Sequence, residues 1–513
     1  MDASRPRPGW TRCTVADPVP PAAAYRPSRA ILELGEGFYD AVRPARFPAQ
    51  LPRFRNDRWA DRVGLGALDP EEWARHFARF EPLPDNLVEP LALRYHGYQF
   101  RVYNPSLGDG RGFLFAQLID TEGRLLDLGT KGSGKTPWSR GGDGRLTLKG
   151  GVREVLATEM LEALGVPTSK TFSLFETGEP LMRGDEPSPT RSSVLVRLNH
   201  SHVRFGSFER HAHAADRTRL DRLLRFAVEH YFPELAGEGD LPIRFFREVA
   251  RRAALLAARW MVAGFVHGVL NTDNMNVTGE SFDYGPYRFL PGYRPGFVAA
   301  YFDQAGLYRY DRQPEAVRWN LERLADALSL LAPRERLVAE LTDFEPRFMQ
   351  AHHAAFLERL GVAPLDPIRD ALFVFHCQCF LEAQQQQPAS FDRFFFDWYG
   401  GEASAERARS RDASALYRGE RWTVVEREMR ERAPSHPERL ADPYFARAEP
   451  VTMVIDEIER VWAAIAERDD WAPFEAKVAE VRAMGRALGD VGPAGHAGGE
   501  AASSTTTRSR SSP

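Results

Sequence analysis

The residues most able to do chemistry crowd into GTKGSGKTPWS, Gly129 to Ser139, which holds two of the chain's five lysines, Lys131 and Lys135. Gly129, Gly134, Lys135 and Thr136 satisfy the pattern G-x-x-x-x-G-K-[ST], the glycine loop that cradles phosphates at a helix N-terminus. That use requires a helix to begin at the Lys-Thr pair, so that its amides and dipole face the phosphates. Here Pro137 follows, and Gly141, Gly142 and Gly144 abort any helix soon afterwards. No later apolar strand ending in Asp offers a metal-binding partner. The pattern is therefore read as accidental.

Lys131 supports a different arrangement. It closes the strand-like run Leu125-Leu126-Asp127-Leu128, and the next helix is expected to carry Glu154 on its first turn. A strand lysine held by a helix glutamate is how kinase-like folds aim a cation at nucleotide phosphates. Taken alone, Lys131 reads better as a solvated strand-end lysine. A second constellation changes the balance: HGVLNTDN, His267 to Asn274, followed by DYGP from Asp283. Asn274 and Asp283 offer hard oxygens suited to Mg²⁺ that shares its shell with phosphates, although both segments also read as turns. Strand Lys, helix Glu, Asn and Asp stand in kinase order. The position of the kinase catalytic base, counted from His267, is Val269, which cannot accept a proton.

The elements that must position these groups fall into two halves. FLFAQLID, RLLDLGTK, KTFSLFE and SSVLVRL, between about residues 91 and 197, read as strands, interrupted by a helix from Val152 to Leu164 stopped by Gly165. On that helix Val152, Val155, Leu156, Met160 and Ala163 form one stripe. From about Leu220 helical patterns dominate. The expected architecture is α+β, a bilobal protein-kinase-like fold with a strand-rich N-terminal lobe and a larger helical C-terminal lobe. The division is a loosely ordered arm at 1–30, a nucleotide-binding lobe at 31–205, a helical catalytic lobe at 206–485 and a low-complexity tail at 486–513.

Composition narrows the classes. In 513 residues, 43% hydrophobic and 27% charged, a net charge of −4 gives no reason to expect nucleic acid or an anionic membrane as partner. The abundance of arginine over lysine is a compositional bias, not a functional signal. Cys13, Cys377 and Cys379 build no disulfide framework, which fits a reducing compartment. His376-Cys377-Gln378-Cys379 could clip a metal, but it lies in an apolar run without a second ligand pair and is read as core thiols. The N-terminus lacks a signal pattern, and the longest apolar run, Ala253 to Leu270, is broken by Arg259 and His267 and reads as a buried helix. A soluble, cytoplasmic enzyme is expected.

A set of ordered blocks adds a family. LGDGR (107–111), the run from Lys131 to Arg140, DGR (143–145), Arg153-Glu154, GVPT (165–168), R-x-x-x-S-H-x-R-F-G (197–206), HGVLNTDNMN (267–276), DYGP and QPEAVRWNL (313–321) resemble the selenoprotein O (YdiU) family. These are kinase-like proteins that act as protein adenylyltransferases. The resemblance is dense over residues 35 to 330 and looser to about 480. It implies AMP transfer from ATP, bound flipped relative to kinases, to Ser, Thr or Tyr hydroxyls of protein substrates, with Mg²⁺ or Mn²⁺. By matching motif it implies that Gly108, Gly110 and Arg111 line the nucleotide site. Lys131, Asp143, Gly144, Arg197 and Arg204 would contact ATP, with Glu154 paired to Lys131. Asn274 and Asp283 would hold the metal, and Asp273 would be the proton acceptor. Lys135 is not usually lysine in the family.

Two departures stand out. The tail and the stretch GFVAAYFD (296–303) lack the cysteines through which family members form a redox bridge. Gly129-Thr130 also replace an apolar residue before Lys131, which is expected to weaken the strand locally. A protein kinase, a uridylyltransferase using UTP and a non-catalytic nucleotide-binding pseudokinase remain as alternatives at this stage.

Overall fold

The structure, a computed structural model, describes residues 23–489 apart from 185, 238, 388 and 389. Of the arm placed at 1–30, residues 1–22 lie outside this range, as do Cys13 and residues 490–513 of the tail.

The first part of the chain builds strands β1 (Pro27–Ser28), β2 (Tyr39–Ala41), β3 (Leu51–Arg55), β4 (Leu91–Leu93), β5 (Gly97–Gln99), β6 (Val102–Asn104), β7 (Leu114–Ile119), β8 (Leu125–Lys131), β9 (Leu146–Thr147), β10 (Lys170–Leu181) and β11 (Thr190–Asn199). Nine of them form one antiparallel sheet, β2-β4-β7-β8-β11-β10-β3, with β1 beside β7 and β9 beside β11. β5 and β6 form a separate hairpin. The central strands are apolar on both faces because both faces are covered. On β10 and β11, Leu174 and Leu195 face the main core, whereas Phe175, Val194 and Val196 face a second cluster with Trp59, Trp73 and Phe77. That second cluster is supplied by α1 (Asp57–Arg62) and α2 (Pro70–Phe77). A fully buried aromatic such as Phe172 or Phe115 contributes roughly 1.5–3 kcal/mol.

The helix expected at 152–164 is α3 (Leu148–Ala163), which starts a turn earlier than the apolar stripe suggests. Thr147 caps it, its hydroxyl accepting from the Gly150 N–H at 3.1 Å, which offsets the low helix propensity of Gly150 and Gly151. Glu154 consequently stands on the second turn, and burial extends well beyond one stripe, to Glu154, Thr158 and Glu159. Gly165, at φ 72°, ends the helix as expected.

Helices take over earlier than anticipated, with α4 (Phe205–His213), α5 (Arg217–Tyr231), α6 (Leu241–Val262) and α7 (Gln313–Leu328). The apolar run 253–270 is not one helix. α6 ends at Val262, Gly264 turns at φ 66°, and Phe265–Val266 (β12) pairs with Arg288–Phe289 (β13). The polar segment between β12 and β13 carries the second constellation. Farther on, Cys377 is buried but Cys379 is half-buried, and His376 Nδ1 lies 2.9 Å from Glu428 Oε2. The description of both thiols as core is corrected for Cys379, on the partly open face of its helix.

The helices Ile455–Arg468 and Ala472–Leu488 brace α3 from behind. Arg482 forks onto Glu159 through two hydrogen bonds of 2.7 Å, and Lys149 Nζ meets Glu459 at 2.7 Å. Among the described residues, no helix is long and apolar enough to cross a membrane.

Candidate active site

β8 is buried along its whole length and delivers Lys131 as its last residue. Lys131 Nζ lies 2.5 Å from Glu154 Oε2 on α3 and 3.0 Å from Asp283 Oδ1. On the adjacent strand, Leu195 opposes Lys131 and Arg197 opposes Gly129, so Lys131 and Arg197 are diagonal neighbours on one face. Arg197 Nη1 stands 3.5 Å from Asp283 Oδ1 and 3.8 Å from Glu154 Oε1.

The glycine opposite Arg197 has a specific use. A Cβ at Gly129 would lie 2.1 Å from Nε2 of His202, which fills that space and faces Arg197 Nε at 3.4 Å. Burial lowers the pKa of His202, with Arg197 adding to the effect and Asp127 opposing it, so the ring is a neutral acceptor for the Arg197 N–H. Thr130 is also employed: its hydroxyl lies 2.6 Å from Ser133 Oγ. The Gly-Thr pair is thus fully incorporated into β8, and the expected local weakening is not found.

Arg204 stands at the N-terminus of α4. Its Nη1 donates to the Asp273 carbonyl at 3.0 Å and its Nη2 to Asp109 Oδ1 at 3.2 Å. Its guanidinium lies over the rings of Tyr95 at 4.3 Å and Phe282 at 4.9 Å. Asp283 receives all three cations. Burial alone would raise its pKa, but Lys131, Arg197, Arg204 and Arg111 hold it well below the usual carboxylate range. Its side chain is 27% exposed, which leaves one side open. Its backbone is left-handed, φ 67°, a conformation a non-glycine residue keeps only when its surroundings enforce it. His267 contributes to that: its Nε2 donates to the Phe282 carbonyl at 3.1 Å.

Asp273 occupies a short 3₁₀ turn, Thr272–Asn274, and is 7% exposed. Its Oδ1 has no hydrogen-bond partner, and Gly97 packs so closely that a Cβ there would lie 2.7 Å from that oxygen. Burial pushes its pKa up to about 7; Arg204 pulls it down and Asp283 pushes it up further. Asn274 Nδ2 donates to the Val269 carbonyl at 2.9 Å, which orients the amide and leaves Oδ1 for another partner. Asn274 Oδ1 and the Asp283 carboxylate are a hard-oxygen pair that fits a divalent cation.

Gly108 and Gly110 lie against the loop carrying Lys135. A Cβ at Gly108 would come within 2.4 Å of the Trp138 ring, and one at Gly110 within 2.8 Å of the Trp138 carbonyl. Thr136 Oγ1 donates to the Asp109 carbonyl and Ser139 Oγ to the Gly110 carbonyl, both at 2.5 Å. Thr136 therefore stitches two loops together. Lys135 is exposed and is followed by a turn, not a helix, which removes the P-loop reading. Arg111 is exposed at the rim, close enough to act on Asp283.

Asp143 and Gly144 share no hydrogen bond or ion pair with the Lys131–Asp283 cluster. Asp143 faces Arg183 at 2.8 Å, and Gly144, at φ 70°, sits where a Cβ would lie 2.2 Å from the Gly134 carbonyl. Sequence reasoning missed Tyr95, Asp109, Asp127 and His202. Asp109 and His202 stand inside quoted motifs, and only their proximity to the arginines distinguishes them.

This geometry gathers Lys131, Arg197 and Arg204 about the Asp283 carboxylate and sets the high-pKa carboxyl of Asp273 beside Arg204. Comparison with known proteins supplies the family. The family model described as "Protein adenylyltransferase SelO" matches residues 22–482. The "Protein nucleotidyltransferase YdiU" of Synechocystis sp. is 44% identical over 474 residues, covering 89% of this chain and 98% of that protein. Its namesake in Gloeobacter violaceus is 45% identical over 471 residues, covering 89% and 95%. That of Vibrio cholerae is 38% identical over 338 residues, covering 66% and 68%. A match of this extent makes the chain a nucleotidyltransferase enzyme, and it belongs to the SelO family of protein adenylyltransferases.

Proposed function

We propose that this enzyme transfers AMP from ATP to Ser, Thr or Tyr hydroxyls of protein substrates, on a bilobal kinase-like fold with the site between a nucleotide-binding lobe at 31–205 and a catalytic lobe at 206–485. The observation that carries the reading is the buried, unpartnered Oδ1 of Asp273 beside the cations gathered about Asp283. The acceptor oxygen attacks the α-phosphorus, the bond from that phosphorus to the bridging oxygen breaks, pyrophosphate leaves, and the hydroxyl proton passes to Asp273.

Lys131, Arg197 and Arg204 bind the phosphates that depart, and Glu154 holds Lys131 in line. Arginine forks suit phosphate oxygens, and each charge-assisted bond is worth roughly 1.5–3 kcal/mol. Gly108 and Gly110 let their loop pack against Trp138, and Gly144 packs against Gly134, which shapes the nucleotide site that Arg111 and Asp143 flank. Asn274 and Asp283 would hold Mg²⁺ or Mn²⁺, which supplies further positive charge to the triphosphate. Val269, at the usual kinase base position, fits a reaction that uses Asp273 instead.

The test compares label transfer to protein from ATP labelled at the α- or γ-phosphate and from UTP labelled at the α-phosphate, with Mg²⁺ or Mn²⁺, beside Asp283→Ala. Label from α-ATP alone, lost in the variant, is expected. Label from the γ-position would make the enzyme a kinase, and preference for UTP a uridylyltransferase. Nucleotide binding without transfer would mark a pseudokinase.

A further inference from the structure

The turn that carries Asp273 is pinned residue by residue. Asn271 Oδ1 accepts from the Phe100 N–H at 3.1 Å and from the Tyr308 hydroxyl at 2.9 Å. Thr272 Oγ1 accepts from the Tyr98 N–H at 2.8 Å and donates to Glu209 Oε2 at 2.8 Å. Arg204 holds the Asp273 carbonyl. Glu209 lies on α4, the helix that Arg204 begins, and is 4% exposed. Its second oxygen, Oε1, has no partner.

We infer that Glu209 is a positioning residue for the transfer reaction: through Thr272 it fixes the turn that aims Asp273, tying that aim to the helix that presents Arg204. The inference rests on the reading of Asp273 as proton acceptor. Glu209 touches neither Lys131 nor Asp283, so its contribution falls on the chemical step and not on nucleotide affinity. Burial pushes its carboxyl up to about 8, the Thr272 hydroxyl opposing and Asp273 adding to the rise. At neutral pH it is thus mostly an uncharged acceptor, which glutamine reproduces in shape and hydrogen bonding.

Four variants test this: Glu209→Gln, Glu209→Leu, Thr272→Val and the Leu/Val double. Glu209→Leu is expected to lower kcat about tenfold, the worth of one buried hydrogen bond, and Thr272→Val at least as much because it also frees the Tyr98 N–H, each with KM for ATP within about twofold. The double variant is expected to lose no more than Thr272→Val alone, because that substitution already removes the bond to Glu209. Gln is expected to stay within about threefold of wild type. Losses that multiply in the double, a Gln variant as impaired as Leu, or a deficit confined to KM would overturn the inference. Should Glu209→Leu show no cooperative thermal melt, Thr272→Val against Gln decides alone. If the wild-type protein transfers no nucleotide, the failure belongs to the proposed function. Amide exchange then decides the positioning role: the Tyr98 and Phe100 N–H groups should exchange faster in Glu209→Leu but not in Glu209→Gln. Unchanged exchange in both overturns it.

Discussion

Asp273 offers the sharpest test of the site. Burial and Asp283 raise its carboxyl to about 7, with Arg204 opposing. A carboxylate with an ordinary pKa near 4 would be fully ionised across the neutral range, and a base of that kind would give a flat profile. With a pKa of about 7, the ionised fraction is about one-eleventh near pH 6 and about ten-elevenths near pH 8. The transfer rate should therefore climb about tenfold over that interval and level off above it. The sign follows from the chemistry: only the deprotonated form can take the acceptor's proton, so activity is lost as pH falls. The assay is kcat/KM for α-labelled ATP as a function of pH, which reports the free enzyme. Asp273→Asn keeps the size of the side chain and removes the base, and should cost about 10²–10⁴-fold while abolishing the climb. A wild-type profile that is flat between these limits, or an Asn variant that keeps both rate and climb, would refute Asp273 as proton acceptor.

Other substitutions separate the remaining parts of the site. Lys131→Met removes a cation held at 2.5 Å from Glu154 and 3.0 Å from Asp283, and should lower kcat/KM about 10–100-fold. Lys135→Ala touches an exposed side chain and should leave ATP affinity by calorimetry within about twofold; a large loss would restore the P-loop. Gly129→Ala places a Cβ 2.1 Å from His202 Nε2, so urea unfolding should report about 1–3 kcal/mol of destabilisation together with weaker ATP binding through displaced Arg197.

What the sequence made legible was what local pattern controls. β7, β8, β10 and β11 were visible as apolar runs because both faces of the sheet are covered, and Lys131, Glu154, Asn274 and Asp283 were visible because they keep kinase order. The invisible parts have physical causes. β3, LPRFR, is an edge strand with little apolar content. The β5–β6 turn carries Phe100 at φ 49° and Arg101 at φ 64°, left-handed positions with no glycine or asparagine to announce them. α3 begins through Gly150-Gly151, which local propensity disfavours and Thr147 rescues. Glu209 with Thr272 and Arg204 with Asp109 join residues 63 and 95 positions apart, beyond the reach of any periodicity.

The bracing of α3 has a consequence for how the protein is made. Arg482 and Glu159 are separated by 323 residues, and Lys149 and Glu459 by 310. On the ribosome, the helix that carries Glu154 emerges early and then waits. Its outer face stays uncovered, and Glu159, destined for burial, lacks its Arg482 partner until residue 482 has been synthesised. Long-range pairing of this kind comes late in assembly, because the loop it closes is so large. The strand-rich half therefore completes its packing only after the last helices have been made. A nascent chain covers the outer face of the helix that carries Glu154 only when its far end folds back, so that helix is among the last parts of the first half to be enclosed.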